Sequence, residues 1–186
     1  MANIPRLVGA PDFGKLIAPE ESLGKRLEGK RVLLTGTTKG VGRVTQELLC
    51  VQGAFVCGSG RSKGVAAEVA NELVAKGYKA AGFDVDLSDY EAVKKWVADC
   101  AELMGGIDIV INNASHPGMA PFGEMTPDIW AYGIQNELDL VYNVCNCAGP
   151  YLLEAGGGSI IITSSTVGLQ GSNSPQACHA AAKGAC

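Results

Sequence analysis

The 186-residue sequence has no surplus of positive charge: 15 lysines and arginines stand against 19 aspartates and glutamates, a net charge of −4. Neither nucleic acid nor an anionic membrane would be held by bulk attraction, so neither is expected as a partner. No apolar run approaches the roughly 20 residues of a spanning helix, and the first residues lack the basic-then-apolar order of a secretory leader. The expected address is cytoplasmic. There is also no C-x-x-C pair among the seven cysteines, Cys50, Cys57, Cys100, Cys145, Cys147, Cys178 and Cys186. Several occupy places suited to small apolar side chains, as in Phe55-Val56-Cys57, so reduced, buried thiols are expected and a metal site is not.

What is present is an ordinary globular profile, 47% hydrophobic and 18% charged with 25 glycines, in a length that suits one domain. Residues 1–29, with Pro5, Pro11 and Pro19 and no sustained apolar period, read as an arm carrying one short helix near Glu20 to Leu27 and covering an edge or a partner subunit. From residue 30 to 186 apolar runs alternate with helical patterns. Strands are expected at 31–35, 54–58, 78–83, 107–111 and 159–163. Helices are expected at 41–52, up to about Lys76, from a Ser88-Asp89-Tyr90-Glu91 capping box to Met104, from Thr126-Pro127 to near Gly156, and from Ser174-Pro175 onward. Alternation with short loops predicts an α/β fold, a doubly wound parallel sheet in the order 3-2-1-4-5. Its ligand belongs beyond the carboxyl ends of the strands, between the first and fourth.

The stretch Thr35-Gly36-Thr37-Thr38-Lys39-Gly40-Val41-Gly42 follows the apolar run Val32-Leu33-Leu34 and opens a helical pattern. It reads as a phosphate cradle. Gly36 makes the sharp turn, Gly40 clears a Cβ from the path of a pyrophosphate, and Gly42 allows close packing of helix on strand. The N–H groups and positive dipole end of the helix would face the phosphates.

This T-G-x-x-x-G-x-G spacing resembles the short-chain dehydrogenase/reductase family, over about residues 30 to 186. The resemblance implies a Rossmann-like fold and a nicotinamide dinucleotide. Gly36, Thr37, Thr38, Lys39, Gly40, Val41 and Gly42 would bind it, with Asp84-Val85 at the adenine and Asn113-Ala114 from the family's N-N-A-G segment, here Asn112-Asn113-Ala114-Ser115 with a serine in the last place. Enzymes that use the unphosphorylated cofactor usually place an acid at the end of the second strand, where this chain has Gly60. With Arg61 and Ser62 next to it and Lys39 in the loop, NADP is favoured over NAD, because a guanidinium matches a 2′-phosphate.

The resemblance further implies four catalytic residues. Ser165, following Ser164, would polarise the substrate carbonyl; Lys183 would bind the nicotinamide ribose; Asn136 would support the proton relay. The family's Y-x-x-x-K reads His179-Ala180-Ala181-Ala182-Lys183, so the tyrosine is a histidine. An imidazole needs less adjustment than a phenol to exchange protons near neutrality, but it is shorter, and a charged lysine nearby would disfavour its protonated form. Two functions follow: an oxidoreductase moving hydride between NADP(H) and a carbonyl or secondary alcohol, with His179 as proton donor, or a catalytically weak or inactive nucleotide-binding subunit. His116, before Pro117, reads as a surface residue. The family's sheet continues past this point, so the fifth strand is expected to be an exposed apolar edge that recruits another copy, a homo-oligomer, or belongs to a longer chain.

Overall fold

The computed structural model describes residues 25–171 and 173–186. The arm helix expected at 20–27 lies outside them except for its end, where Arg26 to Gly29 form a turn. Five strands, β1 Arg31–Thr35, β2 Phe55–Gly60, β3 Ala80–Asp84, β4 Ile109–Asn112 and β5 Ser159–Ile162, form one parallel sheet in the order β3-β2-β1-β4-β5. The expected order is the observed one. Side-chain alternation along β1 decides the two cores: Val32 and Leu34 join Val56, Leu73 and Ile111 on one face, while Leu33 joins Cys57, Trp96, Val110 and Val144 on the other. Central strands covered on both faces are buried throughout, and β1 follows that rule from Val32 to Thr35.

Helices α1 Gly40–Val51, α2 Val65–Ala75, α3 Tyr90–Met104, α4 Pro127–Ile134 and α5 Leu140–Glu154 fill the crossovers, and α6 Ala177–Ala185 follows β5. On α3 the buried Val93, Trp96, Val97 and Cys100 recur at helical spacing and lie against the sheet. Its start differs from the expected capping box. Asp89, not Ser88, caps the helix by accepting from Glu91 N and Ala92 N, because Ser88 is turned to Asp86 and donates to it through both N and Oγ. The Thr126 hydroxyl caps α4 with Pro127 in the first turn, as expected. The long helix is interrupted, however: residues Gln135–Asp139 form a π-helical segment between α4 and α5. The last helix opens after Gln176, not at Ser174, since Gln176 N is engaged by Ser174 O in a turn.

Strand β2 runs to Gly60, two residues further than expected, because its glycines continue to pair with Gly82 and Asp84 of β3. Gly82 is required there: a Cβ would come within 1.9 Å of the Ala66 carbonyl oxygen on α2. Strands β1 and β4 are tied at their amino ends by Arg31, whose Nε and Nη2 donate to the Asp108 carboxylate at 2.9 and 2.8 Å. This bond holds the Asp108 carboxyl below the usual carboxylate range. All seven cysteines are free, and burial pushes the Cys50 thiol up to about 12. Strand β5 lies at the sheet edge with Ile160 46% and Ile161 50% exposed. No helix among the described residues is long and apolar enough to cross a membrane.

Candidate active site

The carboxyl ends of the strands open into a cavity of about 430 Å³ between the glycine loop, the ends of β2 and β3, and the loop after β4. A second, larger hollow of about 620 Å³ lies around Arg31, Gly105 and Tyr151, at the amino ends of the strands, the wrong rim for a ligand of such a sheet.

Packing constraints shape the glycine loop. Gly36 has φ +76°, and both its N–H and that of Thr37 donate to Ser59 O at 2.9 Å, pinning the turn to β2. Gly42 serves a different end from helix-on-strand packing: a Cβ there would lie 2.0 Å from Gly36 O and 2.6 Å from Asn113 Nδ2, so the missing side chain lets α1 close on the loop itself. Gly40, at φ +56°, has nothing within 4 Å of a would-be Cβ and lines the cavity. The helix behind it begins without a side-chain cap, which leaves first-turn amides for a ligand. Backbone clearance and uncapped amides at this rim fit a dinucleotide's phosphates.

Asn113 fastens the loop from below. Its Nδ2 donates to Thr35 O and Gly36 O, at 3.1 and 3.3 Å, while its own N–H and that of Ala114 both donate to Thr35 Oγ1 at 2.9 Å. Gly60 is hemmed in by Thr38, whose Cγ2 would be 2.3 Å from an added Cβ. An acidic side chain at the end of β2 would have to displace the Thr38 methyl.

Of the residues expected at the cofactor, Gly36, Thr38, Lys39, Gly40, Arg61, Ser62, Val85, Asn113 and Ala114 line the cavity, as does Asn136. Thr37, Val41, Gly42, Asp84 and Lys183 do not. Thr37 is buried beneath the loop and Val41 is exposed. Asp84 is turned to the start of α2, where its Oδ2 accepts from Gly64 N at 2.8 Å, and the next acid, Asp86, lines the cavity in its stead. Ser88 holds the Asp86 carboxyl below its ordinary range through two hydrogen bonds, with a smaller contribution from the Arg61 charge.

Arg61 reaches across the cavity: its Nη1 donates to Asn136 Oδ1 at 3.3 Å. Asn136 is buried in the π-helical segment, donates from Nδ2 to Tyr132 O at 2.9 Å, and through its backbone carbonyl accepts from His116 N at 3.2 Å. His116 itself is exposed, with Nδ1 2.9 Å from the Tyr132 hydroxyl.

The remaining expected catalytic residues gather around β5 and α6. Lys183 is 4% exposed, and its Nζ donates to Thr163 O at 2.9 Å. Ser164 Oγ donates to Lys183 O at 2.6 Å, closing the β5 loop onto α6. Ser165 caps the short 3-10 turn Thr166–Gly168, accepting from Val167 N at 3.4 Å. Residues 179 and 183 share one helical face, as their spacing requires.

Sequence reasoning missed Glu137. This fully buried carboxylate stands 2.8 Å from His179 Nδ1 through both oxygens and accepts from Ser115 Oγ. The signal was available: Ser115 and His179 are the two departures from the family pattern, and both meet the same acid.

A family model described as short chain dehydrogenase matches residues 30–186. The chain is 33% identical over 157 residues to a 3-oxoacyl-[acyl-carrier-protein] reductase FabG of Vibrio harveyi, covering 84% of this chain and 63% of that protein. It is 31% identical over 153 residues to a cyclohexanol dehydrogenase of Acinetobacter sp., covering 82% and 61%. A short chain dehydrogenase from Mycobacterium smegmatis superposes with a TM-score of 0.81 at 28% identity, over 86% of this chain and 66% of that one. The chain thus spans a little under two thirds of the length of these curated relatives.

Proposed function

This chain belongs to the short-chain dehydrogenase family, and on that premise we propose that it carries the dinucleotide site of an oxidoreductase acting on a carbonyl or secondary-alcohol substrate with NADP(H). The observation that carries this reading is the rim of the cavity: Gly40 open to it, no side chain at Gly60, where a Cβ would crowd the Thr38 methyl, and the cations Lys39 and Arg61 lining it. A 2′-phosphate meets two positive charges there and no acid at the end of β2.

When bound, the dinucleotide supplies or accepts the hydride. The chain's own part is placement and proton transfer. Gly36 to Gly42 would hold the diphosphate with Asn113 and Ala114 behind them, Arg61, Ser62 and Lys39 would hold the ribose phosphate, and Val85 would flank the adenine. In this reading Lys183 would bind the nicotinamide ribose, and Ser165 would donate a hydrogen bond to the substrate oxygen. In the reductive direction His179 gives a proton to that oxygen as hydride adds to the carbonyl carbon, and in oxidation it takes the proton back. Asn136 holds the two halves of the rim together and supports the proton relay. By their names the two curated relatives act on a 3-oxoacyl group and on cyclohexanol, a ketone and a secondary alcohol. The same reading places the protein in the cytoplasm as a homo-oligomer, with a second copy covering the Ile160–Ile161 edge.

The test is NADPH oxidation, followed optically with a panel of ketones and 3-oxoacyl thioesters. Turnover above background supports the proposal. Saturable NADPH binding without turnover of any substrate would favour a subunit that binds the cofactor and does no chemistry.

A further inference from the structure

Three elements that lie far apart in sequence bring polar groups to one carboxylate. Glu137 comes from the π-helical segment Gln135–Asp139, Ser115 from the loop after β4 and His179 from α6. The Glu137 side chain is fully buried and that of His179 is 15% exposed. An ionised carboxylate only accepts hydrogen bonds, so its two partners must both donate. Ser115 does so through Oγ, and the imidazole therefore keeps its proton on Nδ1. That assignment leaves Nε2 as the nitrogen that can gain or lose a proton, and no hydrogen bond from the described residues reaches it. Ser115 also lines the cavity, so the buried acid is joined to the rim where the cofactor and substrate would lie.

The wide turn of the π-helix is what admits this arrangement. Within it Leu140 N reaches back to Gln135 O, so the chain gains a residue per turn where Asn136 faces Arg61 and Glu137 faces α6. Such segments recur at functional sites because they aim neighbouring side chains in directions a regular helix cannot.

We propose that Glu137, held by Ser115, is a positioning residue that fixes His179 in the Nδ1–H tautomer and so makes Nε2 the proton-exchanging atom in place of a phenol. This rests on the oxidoreductase reading above and deepens it. In reduction the Nε2–H bond breaks, its proton goes to the carbonyl oxygen, and the ring is left neutral with its Nδ1–H still on Glu137. A buried carboxylate that orients an imidazole through Nδ1 is a general device for this purpose.

The chain has two histidines, so nitrogen-edited NMR of the protein without cofactor can assign His179 by comparison with His116→Gln. The expected result is a single Nδ1–H tautomer with a strongly downfield proton. In Glu137→Gln, whose amide can donate as well as accept, that proton moves upfield and the tautomers mix, kcat falls on the order of 10–100-fold, and the Kd for NADPH stays within about twofold. Ser115→Ala, which keeps the acid, gives a smaller fall of roughly 3–10-fold and guards against a Glu137 variant that fails to fold. A purely structural Glu137 would lower thermal stability and cofactor affinity together without changing the tautomer. A His179 with its proton on Nε2 in the wild type overturns the proposal whatever the activity. A wild type with the expected tautomer that reduces no carbonyl overturns the catalytic use of Nε2 through failure of the oxidoreductase reading, not through the geometry.

Discussion

The two halves of the site are built by opposite means. On the β1–β2 side, the backbone itself is packed close: Gly42 against Gly36 O, Gly60 under the Thr38 methyl, Gly36 and Thr37 on the Ser59 carbonyl. On the β5–α6 side, side chains hold one another and the ends of the backbone: Glu137 with His179 and Ser115, Ser164 with Lys183 O, Lys183 with Thr163 O. The first half leaves no free space for a Cβ at Gly42 or Gly60, and the second tolerates no lost partner. Ligand binding by backbone clearance and chemistry by oriented side chains make these different demands for physical reasons.

The largest effect should come from adding atoms to the first half. Gly42→Val would drive side-chain carbon into Gly36 O, and we expect a loss of about 3 kcal/mol or more in chemical denaturation, with NADPH binding lost alongside it. Removing a partner from the second half should cost less. His179→Leu strips the buried Glu137 of one of its two donors, for an expected destabilisation of about 2–3 kcal/mol in the same assay. If Gly42→Val proved the milder change, the contrast between the halves would be wrong.

Glycine spacing makes the first half legible in sequence because close approach has no substitute for a missing Cβ: Gly36, Gly40 and Gly42 announced the loop, and apolar alternation announced the strand order. The second half was only partly legible. Ser165, His179 and Lys183 could be found by pattern, but the acid facing His179 sits 42 positions away, in a π-helical turn that no periodicity reveals. Asp84 showed the limit in the other direction. Its place after β3 suggested the adenine, yet its carboxylate is used on Gly64 N, and Asp86 lines the cavity. The caps expected at Ser88 and Ser174 were off by one and two residues, because Ser88 donates to Asp86 and the Ser174 carbonyl takes Gln176 N in a turn.

A third change sharpens the comparison within the rim proposed to hold the cofactor. Arg61→Ala removes a cation and frees Asn136 Oδ1, and the ratio of NADPH to NADH affinity is expected to fall about 10-fold in paired titrations. The smallest effect is expected at the opposite end of the sheet. Asp108→Asn weakens the partly exposed Arg31 pair by about 1 kcal/mol after allowance for solvent screening. Because Arg31 depresses the folded-state value of Asp108, this stability is present above the unfolded carboxyl's ordinary value of about 3.9 and is lost as pH falls through the folded one. Wild type and variant should therefore differ in denaturation at neutral pH and converge in acid.

The most direct measurement is a fluorescence titration of NADPH against the wild type and Gly40→Asn, whose new side chain would enter the open cradle without meeting any protein atom at its first carbon and which is the non-glycine residue best suited to the left-handed φ of +56°. Saturable binding to the wild type, weakened at least about 10-fold in a variant that remains folded, is the predicted outcome. Equal binding to both, or none to the wild type, would contradict a phosphate site at the glycine loop.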